Sequence, residues 1–151
     1  MAYAEKTSVP FEKSIGEVMT LIRRAGAEQV GQMEGPNGFV VQFALKDRMI
    51  KFAVPFETMD QMPYRDGRGS PLSDSARKAR AEQSRRQRGR ALLLTIKAKL
   101  ESIESGVETF EQAFLAHVVM PDGATIYERI SRGIAIEYKS GKPDSDTLLL
   151  Q

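Results

Sequence analysis

Cysteine is absent from this chain, and histidine occurs only once, at His117. Without cysteine there is no disulfide framework and no thiolate chemistry, and a single histidine argues against a zinc site. Carboxylates are plentiful, so a magnesium site made of carboxylates alone stays open. No apolar run approaches the roughly 18 residues of a membrane span, and the N-terminal segment MAYAEKTSVP lacks the regions of a signal peptide. We expect a cytoplasmic protein with no metal, no cofactor and no contact with a membrane.

Motifs for nucleophilic catalysis or for cradling a nucleotide phosphate are also missing. Gly67-Arg68-Gly69-Ser70 lacks the Gly-Lys-Ser/Thr ending of a Walker loop, and no G-x-S-x-G elbow occurs. His117 stands among alanine and valine, which favours a packing role over catalysis. Nothing in the sequence combines a nucleophile, a base and an orienting group. We therefore predict a binding protein with no catalytic residues rather than an enzyme.

The most informative stretch that is present runs from Ser75 to Gly106, and it predicts one long helix. An apolar stripe with core-facing spacing marks its second half: Leu93, Ile96, Leu100, Ile103 and Val107. Cations dominate its first half against the single acid Glu82: Arg77, Lys78, Arg80, Arg85, Arg86, Arg88 and Arg90. We expect the second half to join a core, the first half to project as a cationic arm, and Gly106 to end the helix.

The net charge of +2 conceals a strong segregation along the chain. Residues 65–99 contain eleven basic and three acidic residues, a balance of +8. Residues 1–64 have a balance of −1 and residues 100–151 one of −5. Such a field steers polyanions toward one surface, whereas a merely solvated helix usually mixes both signs. Segregation of this kind favours a polyanion partner over a purely solubilising role for the arginines.

The 151 residues suffice for one domain, and their patterns predict an α+β fold. A capping box over Ser14–Glu17 predicts a first helix from Ile15 to Ala25. Three strand-like runs follow, and the weakest of them is 28–33. Turn signals lie at 34–38 and at Asp47-Arg48, which predicts an antiparallel meander with one buried face. Four phenylalanines fall on that face, and core packing is favoured for them over a base-stacking platform: Phe39, Phe43, Phe52 and Phe56.

Residues 57–74 predict a mobile loop, because glycine, proline and serine are frequent there. Tyr64, Arg65 and Arg68 could close over a phosphate chain, or the loop could be a plain linker. Capping boxes begin further helices at Thr109 and Thr125, with Phe110, Phe114 and Leu115 inward in the first. In the second helix Ile126, Ile130 and Ile134 lie in line. We predict one domain over 1–143 and a tail over 144–151, in which Leu148-Leu149-Leu150 either docks on a neighbour or frays.

The order of a helix, three strands and a helix with a basic start resembles that of double-stranded-RNA-binding domains. Gly35-Pro36-Asn37-Gly38-Phe39 is similar to the turn between that fold's first two strands, and Arg77-Lys78-Ala79-Arg80 looks like its phosphate-gripping cluster. The connecting loop and the basic helix are longer here, and a C-terminal helical part is added. The β-β-β-α core is also similar to single-strand annealing proteins of phage recombination systems.

Three segments of the chain are distinctive: KTSVPFEKS, RRQRGRALLLTIKAKLESIESGVETFEQAFLAHVVMPDGATIYE and YKSGK. Together they cover about two fifths of the chain, and they resemble a family of small phage and prophage proteins with no established activity. The resemblance implies a phage or prophage origin and action in the cytoplasm of a bacterial host. It supplies no catalytic or binding residues.

Our leading hypothesis is a non-enzymatic protein that binds single- or double-stranded nucleic acid, as a recombination or replication accessory. The contacts would be mostly to phosphates. The candidate binding residues are Arg65, Arg68, Arg77, Lys78, Arg80, Arg85, Arg86, Arg88 and Arg90. One alternative is a counter-defence protein that binds a host protein or a nucleotide messenger. Another is a self-assembling structural protein, and we expect a homo-oligomer on the ground that the basic helix and the acidic C-terminal third could pair between subunits.

Overall fold

The computed structural model describes residues 2–144. It contains the predicted α+β order of an N-terminal helix, a three-stranded antiparallel sheet, a long helix and C-terminal helices, so the predicted fold class is confirmed. The elements are α1 (Phe11–Arg24), β1 (Glu28–Gly35), β2 (Gly38–Leu45), β3 (Arg48–Pro55), α2 (Asp74–Glu104), α3 (Phe110–Phe114) and α4 (Ile126–Ser140). Short 3₁₀ turns lie at Met59–Gln61 and Leu115–His117. Of the predicted tail over 144–151 only Asp144 is described, and the part that contains Leu148–Leu150 lies outside the described residues.

Helix α1 begins one turn earlier than the sequence predicted, and the predicted capping box is wrong. Pro10 occupies the N-cap position with φ −57° and ψ 145°, and no side chain caps the helix. Proline suits a helix start because its fixed φ and missing N–H cost nothing there. Ser14 instead lies inside the helix, fully buried, and its Oγ has no hydrogen-bond partner among the described residues.

The sheet has the order β1-β2-β3, with both neighbouring pairs antiparallel, as predicted. Leu45 pairs with Arg48, so the second hairpin turns on Lys46-Asp47, one residue earlier than predicted. Both turn residues have positive φ, 48° and 60°, the geometry of a tight type I′ connection. The first strand is irregular, because its register shifts between Glu28 and Gly31. The weakest of the three predicted strands is thus a real but distorted edge strand.

The core fills the space between one face of the sheet and the helices α1, α2 and α3. All four predicted phenylalanines of the sheet region are buried, so core packing is confirmed for them and a base-stacking platform is not formed. Phe11 of α1 meets Phe39 and Phe56 edge to face at 5.4 and 5.2 Å between ring centroids. Phe114 of α3 meets Phe43 and Phe52 in the same way. Edge-to-face contacts of this kind add to the free energy gained by burying the rings.

Helix α2 starts at Asp74 because the side chain of Ser73 accepts a hydrogen bond from the backbone N–H of Ala76. Leu93 and Ile96 are buried as predicted, and Leu100 and Ile103 pack partly against the core. Val107 is 77% exposed, so including it in the stripe was wrong. The helix ends at Glu104, and Gly106 with φ 78° has already turned the chain away.

The predicted cationic arm is exposed only at its start, at Lys78 and Arg80. The basic half of α2 lies along α1 and the sheet: Gly89 is buried against Phe11, and residues 83–88 are all partly buried. Arg85, Arg88 and Arg90 therefore face other elements of the same domain.

The C-terminal part begins with two capping boxes that the sequence located correctly, at Thr109 with Gln112 and at Thr125 with Glu128. Phe114 is buried, whereas Leu115 is half exposed rather than inward. Val118 extends the sheet through a bridge to Ile50 of β3. Helix α4 contains no buried residue. Within residues 2–144 no helix is long and apolar enough to cross a membrane.

Candidate nucleic-acid interface

Three of the predicted binding arginines form ion pairs with acids from the N-terminal half of the chain. Arg85 pairs with Glu34 and, at 3.1 Å, with Glu12. Arg88 pairs with Glu57 at 3.1 Å between Nη2 and Oε1, and also donates to the backbone oxygen of Pro55. Arg90 lies 3.6 Å from Glu17. These pairs tie α2 to α1, to β1 and to the chain that follows β3. Their charge is largely neutralised inside the domain.

Arg85 also contacts the faces of two aromatic rings. Its guanidinium carbon lies 4.5 Å from the ring centroid of Phe11 and 5.5 Å from that of Phe56. A guanidinium over an aromatic face is attracted by the ring quadrupole. Arg85 therefore closes the edge of the core between α1 and the sheet rather than reaching outward.

Arg77 is 4% exposed and acts as an anchor for the loop before α2. Its Nη2 donates to the backbone oxygens of Met59 and Met62, at 2.9 and 3.3 Å. Its guanidinium carbon lies 3.9 Å from the ring centroid of Tyr64, and Nη1 lies 3.6 Å from Asp74. All of these partners belong to residues 59–74. Arg77 positions the loop, and because it is buried it offers almost no surface to a phosphate.

Arg86 is partly buried and bonds to its own helix. Its Nε and Nη2 donate to Gln83 Oε1 at 3.1 and 2.6 Å. Gln83 in turn donates to the backbone oxygens of Glu5 and Thr7, which fixes the N-terminal segment on α2. The hydrogen-bond partners of Arg86 are therefore uncharged, so they do not neutralise its positive charge.

The remaining four predicted cations are exposed and cluster in two places of the sequence. Lys78 and Arg80 lie on the first turns of α2 and have no ion pair within the described part of the chain. Arg65 and Arg68 lie on the preceding loop, where Arg65 Nη1 donates to the backbone oxygen of Gly69 at 2.8 Å. The Arg68 side chain has no hydrogen bond in the range 2–144.

This loop is a closed turn. A backbone β-bridge joins Arg65 to Pro71 across the turn. Asp66 Oδ1 accepts hydrogen bonds from the backbone N–H groups of Arg68 and Ser70, both at 2.9 Å. Leu72 donates to the backbone oxygen of Tyr64 at 2.8 Å. Because Arg77 holds Tyr64 and the 3₁₀ turn on α2, the loop cations and the helix cations are joined to one end of the same helix. Whether the loop is mobile, as the sequence predicts, remains a prediction.

Tyr64 is 70% exposed, although one face of its ring meets Arg77. An exposed aromatic ring beside several cations is the usual composition of a surface that stacks a base and contacts the phosphates around it. We call this set of side chains the loop–helix surface: Tyr64, Arg65, Arg68, Lys78 and Arg80. Two acids lie among them in the sequence, Asp66, which is bonded to its own turn, and Asp74, which pairs with Arg77.

Sequence reasoning missed the acids that neutralise the basic half of α2: Glu12, Glu17, Glu34 and Glu57. The partners Glu34 and Arg85 lie 51 residues apart in the chain, and only the folded sheet brings them together. The segregation of charge along the sequence gave no signal of this pairing. The sequence pointed only weakly to Tyr64 as a binding residue, because it is the aromatic residue near two loop arginines.

His117 lies outside the loop–helix surface and packs against the sheet, as expected. Its ring stacks on Phe52 with 3.9 Å between ring centroids. Burial lowers the pKa of His117 from its ordinary value of 6.5, and the positive charge of Lys99 lowers it further. Among residues 2–144 no group of three or more potential metal ligands converges on one point.

Comparison with protein-family models, with curated proteins and with solved structures finds no match for this chain. The resemblance to phage and prophage proteins therefore stays a prediction from the sequence.

Proposed function

We propose that this protein binds nucleic acid through the loop–helix surface, with single strands favoured over duplexes. The observation that supports the proposal is that the exposed ring of Tyr64 and four exposed cations lie on the loop and on the helix end that Arg77 joins. Arg65, Arg68, Lys78 and Arg80 supply phosphate contacts, and Tyr64 supplies a face for one base. A protein of phage or prophage origin that acts on nucleic acid in the bacterial cytoplasm, as a recombination or replication accessory, fits this role.

The proposed surface is smaller than the one predicted from the sequence. Arg85, Arg88 and Arg90 tie α2 to other elements through ion pairs, and Arg77 anchors the loop before α2. Breaking an ion pair to contact a phosphate exchanges one anion for another, so these residues add little to binding. Within residues 2–144, Lys78 and Arg80 have no such pair to break. The phosphate contacts are therefore expected from the cations at the start of α2 and on the loop.

The experiment is a titration of an end-labelled oligonucleotide of about 20 thymidines, longer than the ~4–16 nucleotides that one small module covers. Four phosphate contacts predict that log K falls with log salt with a slope of about −3, since each contact on a single strand contributes about 0.7. The Lys78→Gln, Arg80→Gln double variant should lower the affinity and reduce the slope to about half. Tyr64→Ala should lower the affinity with an unchanged slope, because stacking involves no counterion.

The matched control is Arg132→Gln, Lys139→Gln, which removes two exposed cations from α4. It should bind as the natural chain does. Unchanged affinity in the folded Lys78, Arg80 variant would overturn the proposal. A duplex that binds more tightly than the single strand would assign the surface to duplex phosphates.

A second candidate function is self-association, and the exposed face of α4 favours it. Its residues Ile126, Ile130, Ile134 and Tyr138 are spaced by four and so lie along one side of the helix. Ile134 and Tyr138 are exposed, as is Tyr127 on the same side. A second copy of the chain would present the same stripe, so two α4 helices could pack against each other around a two-fold axis.

Sedimentation equilibrium tests self-association directly. Ile134→Glu should shift an oligomer to the monomer, whereas Ala135→Glu, which places the same charge on an exposed position of another side of α4, should not. Because the contact is apolar, raising the salt concentration should not dissociate the oligomer. A chain that is monomeric at high concentration would overturn this candidate.

A further inference from the structure

A groove of about 520 Å³ lies between α1 and the second half of α2, and no proposed role uses it. Four cations line it: Lys13 and Arg24 from α1, and Arg90 and Lys97 from α2. Glu17 is the one acid in the lining, and it pairs with Arg90 at 3.6 Å. Lys13, Arg24 and Lys97 have no ion pair within residues 2–144. The groove therefore has three cations in excess and is suited to an anion with more than one negative charge.

The interior of the groove is apolar. Leu21, Leu93 and Leu94 form that part, and Leu93 belongs to the core. Thr20 and Glu17 add polar oxygen atoms beside it, although Thr20 already donates to the backbone oxygen of Gly16. An apolar floor with cations around it and a few polar groups is the composition of a small-molecule site.

We infer that this groove binds a nucleotide, with the base on the leucines and the phosphates on Lys13, Arg24 and Lys97. A nucleotide carries the two or more negative charges that match the cation excess. Its flat base covers apolar surface, and an amino group on the base finds an acceptor in Glu17. A simple acyl anion would cover the apolar surface of the leucines, but its single negative charge would leave cations of the groove without a counter-charge. This site is separate from the loop–helix surface, because Arg80 and Arg90 lie about 15 Å apart along α2.

Gly16 provides an unusual means of testing the site. It lines the groove, and a Cβ on Gly16 would meet no other atom within 4 Å. A side chain can therefore start from Gly16 without a clash at its Cβ, and Gly16→Leu places apolar bulk in the groove without removing any charge. Gly16→Ala is its matched control, because it brings the same gain in helix propensity but fills far less of the groove.

The experiment is isothermal titration of the full chain with ADP, inorganic pyrophosphate and octanoate. ADP should bind most tightly, because pyrophosphate lacks the base and octanoate lacks the second charge. Gly16→Leu should weaken ADP at least about tenfold while Gly16→Ala retains it. The Lys13→Gln, Lys97→Gln variant should weaken ADP by about tenfold or more, the value of losing one hydrogen bond to a charged group.

Several results would overturn the inference. They are an ADP affinity no higher than that of pyrophosphate, tighter binding of octanoate, or ADP binding that Gly16→Leu leaves intact. The Lys78→Gln, Arg80→Gln variant separates this site from the proposed nucleic-acid surface. It should bind ADP normally, and an equal loss there would mean that ADP only senses the general positive charge. Should Gly16→Leu fail to fold, the lysine variant decides between these outcomes.

Discussion

Gly89 of α2 lies directly against Phe11 of α1, so closely that a Cβ on Gly89 would stand 2.7 Å from Phe11 Cδ2. The ring cannot easily retreat, because Phe39 and Phe56 pack against it edge to face and Arg85 lies over it. The basic half of α2 therefore reaches α1 through the one residue type that leaves room for the ring.

The first prediction compares two helical glycines. Gly89→Ala should lower the free energy of unfolding by about 1–2 kcal/mol, because overpacking outweighs the gain in helix propensity. Gly16→Ala should raise it by about 0.5–1 kcal/mol, since its Cβ meets nothing. Urea unfolding of the two variants measures both values. Equal effects of the two substitutions would show that the contact with Phe11 does not determine the approach of the helices.

The second prediction concerns Ser14, whose buried Oγ has no partner within residues 2–144. Ser14→Ala should stabilise the domain by about 1 kcal/mol, because it removes an unpaired buried hydroxyl and improves helix propensity. A Ser14 that capped the helix would behave oppositely and lose about 1 kcal/mol as alanine. The sign of the change in the urea midpoint therefore distinguishes the observed helix start from the one that the sequence predicted.

The sequence predicted the order of the elements because hydrophobic periodicity and capping boxes are local signals. The boxes at Thr109 and Thr125 were predicted correctly. The box at Ser14 failed because tertiary burial of Ser14 and the preference of Pro10 for a helix start outweighed it. The role of the basic residues depended on contacts between distant segments, such as that of Arg85 with Glu34, and local pattern contains no information about these.

The third prediction concerns Arg77, the anchor of the loop. Arg77→Met keeps much of the buried volume but removes the bonds to the backbone oxygens of Met59 and Met62. We expect a loss of about 1.5–3 kcal/mol, the range for hydrogen bonds that involve a charged group. Limited trypsin digestion should already cut the natural chain first at Arg65 or Arg68, and the variant should be cut faster there. A first cut within residues 39–54 would contradict the packed sheet.

The fourth prediction is a dependence of stability on pH that originates at His117. Burial lowers the pKa of His117 in the folded chain below the ordinary value of 6.5. The unfolded chain therefore takes up a proton first as the pH falls. The contribution of His117 to stability is complete above about pH 6.5 and is lost below it, until the pH reaches the folded pKa. The neighbouring charge of Lys99 acts in the same direction.

His117→Gln tests this prediction through the urea midpoint measured above and below pH 6.5. The variant should lose some stability at neutral pH, because the stack on Phe52 is impaired, but its midpoint should change less on acidification. Nucleic-acid binding should be unaffected, since His117 lies apart from the loop–helix surface. An identical pH profile in the two chains would assign the titration to other groups.

The last prediction separates the two kinds of cation on α2. From the sequence alone, reversing Arg85, Arg86 and Arg88 to glutamate is expected to abolish binding and leave the fold intact. The structure changes that expectation. Arg85 and Arg88 pair with Glu12, Glu34 and Glu57, so reversal replaces attraction by repulsion at three carboxylates. We now expect the triple variant to lose about 2 kcal/mol of stability, a sum of several partly exposed pairs.

The matched variant is Lys78→Glu, Arg80→Glu, which reverses two exposed cations that have no ion pair within residues 2–144. Its unfolding midpoint should equal that of the natural chain, and its affinity for the oligonucleotide should fall by orders of magnitude because repulsion replaces two phosphate contacts. Thermal unfolding and binding are measured on the same preparations. If the triple variant keeps its stability and loses binding while the double variant keeps both, the arginines of the packed half are the contact residues and the loop–helix surface is not.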